Sequence, residues 1–227
     1  MSTSHGFRIH PAPPAPLPGA VQALSGLSVS HLSDVLLRTR TTGALRLYSR
    51  PNGRMCGPAV TVRVAVGDHL MVQKALDLAL PGQVIVVDAQ GWLESAMVGE
   101  VMTRLANLRG LGGFVIDGAI RDIDHISGQD LPVYARGVTP RGPTRRGPGE
   151  IHVPVQVGGM IVEPGDIVCG DLDGLVSVSP ANLHRVVDEV HGLREKEERA
   201  IAAMQTRTLD RAWVDDALRA NGLHEIR

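Results

Sequence analysis

Two runs, "QVIVVDA" at residues 83–89 and "GGFVIDG" at 112–118, place unbroken apolar residues between a Gly or Pro break and an aspartate. A strand with no polar residue at every second position has no face to give to water, so each run reads as a strand buried on both sides. Helical patterns separate them. "HLMVQKALDLA" precedes the first and stops at Pro81-Gly82, and "SAMVGEVMTRLANLRG" precedes the second with Gly110 as its stop. Strand, helix and strand recurring in this order predict a parallel sheet covered by helices, continued by a third strand at "LPVYARG" after a short helix or turn at "IRDIDHIS". Upstream, Val60, Val62, Val64 and Val66 alternate as in a half-buried strand, and Ser30 reads as the cap of an early helix with Leu32, Val35 and Leu36 on one face.

The pattern changes after Arg136. "GVTPRGPTRRGPGEI" is a Gly/Pro-rich loop, and the β-type runs beyond it are split by Gly158-Gly159, Pro164-Gly165-Asp166 and Asp171 to Gly174. Those breaks are turn chemistry and predict an antiparallel β layer. Pro180 then opens a long helix, "ANLHRVVDEVHGLREKEERAIAAM", and a last helix is expected from about Thr208. The fold class is α/β, with a central mostly parallel sheet, an antiparallel β layer and C-terminal helices. Residues 1–20 read as a flexible Pro-rich arm, 21–205 as one domain and 206–227 as a C-terminal helical extension.

With 227 residues, 43% of them apolar, the chain has ample material for a core. A formal net charge of −1 and 3% aromatic residues leave little to attract phosphate or stack on bases, so nucleic acid is not expected as a partner. No apolar run reaches membrane-spanning length, and the N-terminus resembles neither a signal nor a transit peptide, so the expected location is the cytoplasm, with no membrane partner. Cys56 and Cys169 can form one disulfide, but two free, buried thiols in a reducing compartment fit better.

The segment "DGAIRDID" puts three acids and one arginine in eight residues at the end of a buried strand. In open parallel sheets ligands bind beyond the carboxyl ends of the strands, where Asp88, Asp117, Arg121 and Asp122 are expected to lie. Neighbours on a helix do not face each other, so in a helical segment Arg121 and Asp122 would serve different parts of a ligand. A guanidinium matches a carboxylate, and a carboxylate suits a hard divalent cation that keeps several waters. Twenty residues separate Glu100 from Arg121. Taken singly, each of these features reads as a solvated side chain or a helix cap; their spacing is what gives them weight.

Gly99-Glu100, "GGFVIDGAIRDID", "ARGVTPRGP", "GPGEIHVPV" and "PGDIVCGDLDGLVSVS", in that order, resemble the regulator of ribonuclease activity A-like family over roughly residues 25–205. That family includes metal-dependent 4-hydroxy-4-methyl-2-oxoglutarate / 4-carboxy-4-hydroxy-2-oxoadipate aldolases. The resemblance implies a swivelling β/β/α catalytic domain assembled as trimers or hexamers, with active sites between subunits. It implies that Arg121 binds the carboxylate and keto oxygen of a pyruvyl group, that Asp122 is the protein ligand to Mg²⁺ or Mn²⁺, and that the backbone of Gly99, Glu100, Val101 and Met102 cradles a 2-keto acid substrate. Glu100 stands where aldolase members commonly carry Asp, as the residue handling a water in proton transfer. A Glu from a neighbouring subunit's C-terminal helix completes the set. Of Glu195, Glu197 and Glu198, position points to Glu197, although a solvated helix face accounts for all three.

Retro-aldol cleavage beside a 2-keto acid leaves an enolate, which proteins stabilise by a lysine imine or by a Lewis-acidic metal with fixed cations. The only lysines, Lys74 and Lys196, lie in helical, charged contexts, so the metal route, that of a class II pyruvate aldolase, is the expectation. Oxaloacetate decarboxylation passes through the same enolate and should accompany it. His125 is placed to line such a site, whereas His184 and His191 read as a solvated helix face. Arg136, Arg141, Arg145 and Arg146 form a basic cluster open to substrate, a subunit, RNA or solvent. The alternative function is a non-catalytic trimeric regulator that binds a ribonuclease or its partners.

Overall fold

The computed structural model describes residues 6–224; residues 1–5 of the arm and 225–227 of the C-terminal extension lie outside the described residues. The first half contains β1 (Phe7–Ile9), α1 (Ala20–Ser25), α2 (Val29–Val35), β2 (Thr41–Thr42), β3 (Arg46–Leu47), β4 (Met55–Val64), α3 (Leu70–Leu78), β5 (Val84–Val98) and α4 (Glu100–Leu108). The second contains β6 (Gly113–Ile120), α5 (Ile123–Ile126), β7 (Val133–Val138), β8 (Gly149–Ile151), β9 (Val155–Val157), β10 (Met160–Val162), β11 (Ile167–Asp171) and β12 (Gly174–Val178). A 3₁₀ turn at Pro180–Asn182 leads into α6 (Leu183–Gln205), and α7 (Ala212–Ala220) follows. No described helix is long and apolar enough to cross a membrane.

Ten strands form one sheet in the order β2-β12-β11-β4-β5-β6-β7-β3, with β8 pairing both β4 and β1 at the side. β4, β5, β6 and β7 are mutually parallel, while β11, β12, β2, β3 and the β4–β8 pairing are antiparallel. The fold is therefore mixed α/β with a mostly parallel centre, antiparallel strands beside it and helices at the C-terminal end.

Alternation along the central strands sorts the core into faces. Ile85, Val87 and Ile116 pack under α3, α4 and α5 with Val72, Leu76, Ala106 and Ile126. Val84, Val86 and Val115 point the other way, onto the β9–β10 hairpin through Val155, Val157, Met160 and Val162. A third cluster seats α1, α2 and α6 on Ile167, Cys169, Val176 and Val178 of β11 and β12. Burying both faces of β5 and β6 removes their apolar runs from water, which is the main favourable term in holding the sheet.

Three expectations need correction. β4 is buried on both faces from Gly57 to Val62, and Val66 lies beyond it and is exposed, because β11 and β5 flank the strand and core clusters cover both sides. α2 is capped by Ser28, whose Oγ accepts the His31 N–H at 3.3 Å, and not by Ser30. β5 does not end at Asp88 and Ser95–Val98 is not helical: the strand kinks at Gln90 and Gly91, both at positive φ, and continues to Val98, which pairs with Ile120. A short apolar stretch buried on both sides has no periodicity to tell it from a buried helix start.

Asp117 also departs from expectation. It lies inside β6, which runs on to Ile120, and it is 5% exposed. Its carboxylate pairs with Arg136 and accepts the Gly158 N–H at 2.8 Å, tying β6 to β7 and to the turn of the β9–β10 hairpin. Asp117 is thus a structural charge and not part of a strand-end site. Asp117→Asn should lower the unfolding free energy by about 2 kcal/mol, less than for a fully buried pair because Arg136 is partly solvated. Urea unfolding would measure the loss.

Candidate active site

β5 and β6 leave the sheet side by side. Val98 pairs with Ile120, and the Arg121 N–H donates to the Val98 carbonyl at 3.0 Å. The chain after β5 turns at Gly99 into α4, and the chain after β6 turns at Asp122 into α5. The twenty residues between Glu100 and Arg121 are thus the rest of α4, its return loop and β6, the length of one crossover that brings two strand ends together.

Asp122 adopts a left-handed conformation, φ 60° and ψ 44°, which swings its side chain back toward the start of α4. Its Oδ2 accepts the Glu100 N–H at 2.9 Å, and the Arg121 Nε lies 3.6 Å from the same oxygen. Arg121 and Asp122 therefore share one cleft. The helical geometry considered from sequence does not hold at this point, because α5 begins only at Ile123. At Gly99, a Cβ would collide with Asp122 Oδ2 and stand 3.0 Å from Arg121 Cγ. Gly99 is extended, φ −150°, so the requirement for glycine is the contact and not the dihedral.

The cleft has a volume of about 570 Å³ and is lined by Glu100, Arg121, Asp122, Asp124 and His125 with Val138, Thr139 and Pro140. Glu100 is turned along its own helix, where Oε1 accepts from Arg104 Nε at 2.8 Å. Arg104 Nη2 also lies 3.4 Å from His125 Nδ1. The other ring nitrogen of His125, Nε2, is buried without a hydrogen-bond partner among the described residues. Val101 is 80% exposed and Met102 is in the core, so neither side chain enters the cleft. Their backbone N–H groups belong to the first turn of α4, where no intrahelical acceptor exists.

Behind the cleft, the loop at 144–147 is clamped by Asp68. Its Oδ2 accepts from Thr144 Oγ1 at 2.8 Å, from the Arg146 N–H at 2.6 Å and from the Gly147 N–H at 2.9 Å. Burial pushes the Asp68 carboxyl up, but these bonds and the Leu70 N–H together hold it below the ordinary value. Beside it, Arg145 Nε donates to His69 Nε2 at 3.2 Å, and His69 Nδ1 lies 3.2 Å from the Met97 carbonyl. The proton is therefore on Nδ1. Burial, reinforced by the Arg145 and Arg121 charges and opposed by the Met97 carbonyl and the Asp68 charge, keeps His69 below its ordinary pKa and so neutral.

Arg104 and His69 are site neighbours that sequence reasoning missed. For Arg104 the signal was an acid–base pair at i and i+4; for His69, a lone histidine at a helix start, nothing marked it. The expected basic cluster is dispersed: Arg136 pairs with Asp117, Arg141 with Glu94, and Arg145 with His69. Asp88 stays on the sheet, accepting the Gln90 N–H at 3.1 Å. Lys74 pairs with Asp77, and neither it nor Lys196 lines the cleft. Glu197 is on α6, away from the cleft of its own chain, with Oε2 2.6 Å from His31 Nε2.

Among the described residues, no three or more His, Cys, Asp or Glu side chains are grouped as metal ligands. Three carboxylates line the cleft, of which Glu100 is turned onto Arg104 and Asp122 stands beside Arg121, with Asp124 next to it in the chain. That donor set fits Mg²⁺ or Mn²⁺, which keep several waters, and does not fit a zinc site of three or four protein ligands.

The family model RraA-like, Aldolase/RraA, matches residues 29–177. The chain belongs to the RraA-like family. It is 40% identical over 154 residues to a protein of Halalkalibacterium halodurans named "Putative 4-hydroxy-4-methyl-2-oxoglutarate aldolase", covering 66% of this chain and 73% of that one. Among solved structures, Streptomyces coelicolor RraAS2, described as an unusual member of the RNase ES inhibitor RraA family, superposes with a TM-score of 0.74 at 27% identity, covering 82% of this chain and 96% of that one. The RNA-processing inhibitor RraA from Thermus thermophilis superposes with a TM-score of 0.61 at 30% identity, covering 66% and 92%.

Two outcomes follow from this geometry. Gly99→Ala should push the Asp122 carboxylate off the Glu100 N–H and lower the unfolding free energy by roughly 1.5–3 kcal/mol, read by urea unfolding. His69, neutral when folded, favours the folded state fully above its ordinary pKa of 6.5, and that contribution is lost as the pH falls from there toward the lower folded value. Denaturant unfolding should show stability declining below 6.5 in the parent, with that part of the slope absent in His69→Gln.

Proposed function

We propose that this RraA-like chain is a divalent-metal-dependent lyase that cleaves 4-hydroxy-2-oxo acids of the 4-hydroxy-4-methyl-2-oxoglutarate type to pyruvate, and that decarboxylates oxaloacetate as a companion reaction. The observation that carries this reading is the convergence of Arg121 and Asp122 on one cleft at the N-terminus of α4. Identity to the Halalkalibacterium protein supports the aldolase chemistry.

The chain's residues divide the work. The Arg121 guanidinium pairs with the substrate's 2-keto acid end and offsets the negative charge that grows on the keto oxygen as the carbon–carbon bond breaks. Asp122 would hold Mg²⁺ or Mn²⁺, which supplies Lewis-acid polarisation when bound. First-turn amides of α4 from Val101 and Met102 orient the carboxylate. Glu100 would take up and return the proton, and Arg104 sets where its carboxylate waits. Thr139, buried on the cleft wall beside exposed Val138, limits the space for the 4-hydroxy substituents.

The cleft is open on one side, and Val101, Leu105 and Leu108 present exposed apolar side chains along α4 next to it. That stripe supports assembly as a trimer or hexamer, in which Glu197 of one copy would face the cleft of another. The likeness to the Thermus RNA-processing inhibitor supports a second reading, a non-catalytic regulator that binds a ribonuclease or its partners through the same assembly.

One assay separates the two: pyruvate release from 4-hydroxy-4-methyl-2-oxoglutarate and from oxaloacetate, with Mg²⁺, Mn²⁺ or chelator. Turnover is expected with either metal and none with chelator. Arg121→Ala should lower kcat/KM by roughly 10²–10³, the range for loss of one donor to a developing oxyanion, and Asp122→Asn should remove the metal response. An inert parent protein that still binds a ribonuclease would select the regulator.

A further inference from the structure

Cys56 on β4 and Cys169 on β11 stand directly opposite each other in the antiparallel pairing. The Ala59 N–H donates to the Asp166 carbonyl at 2.8 Å, which marks Ala59 and Asp166 as a hydrogen-bonded pair in that register. Such pairs alternate along an antiparallel ladder. Gly57 with Val168 is therefore hydrogen-bonded, while Pro58 with Ile167 and Cys56 with Cys169 are not. Pro58 agrees with this, because a residue without an N–H fits only where the ladder asks for none. At non-hydrogen-bonded pairs the Cα atoms are about 4.5 Å apart. A disulfide accepts separations from about 4.4 Å upward. Both thiols are free, and their sulfurs lie 3.5 Å apart.

We propose that Cys56 and Cys169 form a reversible dithiol–disulfide modification site, oxidised by low-molecular-weight disulfides of the glutathione class. This proposal is independent of the lyase reading. Cys56 is partly accessible, and its thiol donates to the Val21 carbonyl of α1 at 3.4 Å; Cys169 is buried under α1, α2 and α6. Cys56 is thus the point of entry. Its thiolate attacks one sulfur of the small disulfide, breaking that S–S bond, forming a mixed disulfide and releasing one small thiol. Cys169 then attacks the Cys56 sulfur, breaks the mixed bond and releases the second small thiol. Two cysteines are oxidised and one small disulfide is reduced, and both protons leave on the released thiols.

The hydrogen bond with Cys56, followed by burial, raises the Cys169 thiol, so the second step is the slow one. The partly accessible Cys56 sulfur leaves the bond open to attack by a small thiol, which reduces it again. Cys56 lies near the start of β4, whereas the cleft is at the carboxyl ends of β5 and β6.

The folded full-length chain is incubated at graded ratios of glutathione disulfide to glutathione, alkylated, and read by intact mass and peptide mapping. The expected result is joint loss of both thiols, a mass lower by two hydrogen atoms, a Cys56–Cys169 linked peptide and full recovery in excess glutathione. Cys169→Ala should stop at a glutathione adduct on Cys56, and Cys56→Ser should leave Cys169 unmodified. Two alkylated cysteines at every ratio, a persistent adduct on the parent chain, or a link between two chains would overturn the proposal. The parent chain's peptide map decides the question even where a variant does not fold.

Discussion

The candidate site depends on one short contact, between the Asp122 carboxylate and the backbone at the start of α4. Asp122 Oδ2 holds the Glu100 N–H at 2.9 Å, and the absence of a side chain on Gly99 is what lets the carboxylate approach. This bond satisfies one of the orphan donors of a helix start with a charged acceptor from another strand end, and the α4 dipole favours a carboxylate there. A bond to a charged group of this kind is worth roughly 1.5–3 kcal/mol. The strained left-handed backbone at Asp122 costs about 1–3 kcal/mol, so the contact and the strain are of similar size. The geometry persists because β6 ahead of it and α5 behind it are both packed into the core.

Much of this architecture was legible in the sequence because the central strands carry their burial in composition. "QVIVVDA" and "GGFVIDG" admit no solvent face, and the helices between them are closed by Pro81-Gly82 and Gly110, so the parallel centre follows. The turn residues at Gly158-Gly159 and Asp171 to Gly174 likewise mark β9–β10 and β11–β12. The length of β5 was not legible. Its kink at Gln90-Gly91 resembles a terminator, and only pairing with β6 carries the strand on to Val98. Asp117 failed for a related reason: its charge looked like a strand end, but its partner Arg136 is nineteen residues away on the neighbouring strand.

The site itself was half visible. Spacing of Glu100 from Arg121 and Asp122 encodes one helix and one strand of return, so a sequence interval becomes a spatial coincidence. His69 and Asp68, by contrast, act through a loop some seventy-five residues downstream, with Thr144 and Arg145 lying 76 positions away. No local pattern reports a contact of that range. Such contacts also disperse the formally basic loop: Arg136 and Arg141 face carboxylates, Arg145 donates to His69, and Arg146 contributes its backbone.

Glu100 is where local helix physics and site chemistry meet. Its carboxylate is one methylene longer than an aspartate's, and it spends that length reaching along α4 to Arg104 at i+4, an orientation with the acid N-terminal that helices favour. An aspartate at the same place, closer to its own backbone, would point its oxygens toward the start of the helix, where Asp122 already occupies the Glu100 N–H. The pair is exposed, 62% for Arg104 and 42% for Glu100, so it is held weakly. Water screens the pair, so it constrains the Glu100 side chain only loosely. Glu100 and His125 both lean on the same guanidinium, at 2.8 Å and 3.4 Å, so an anion that draws Arg104 away frees the two together.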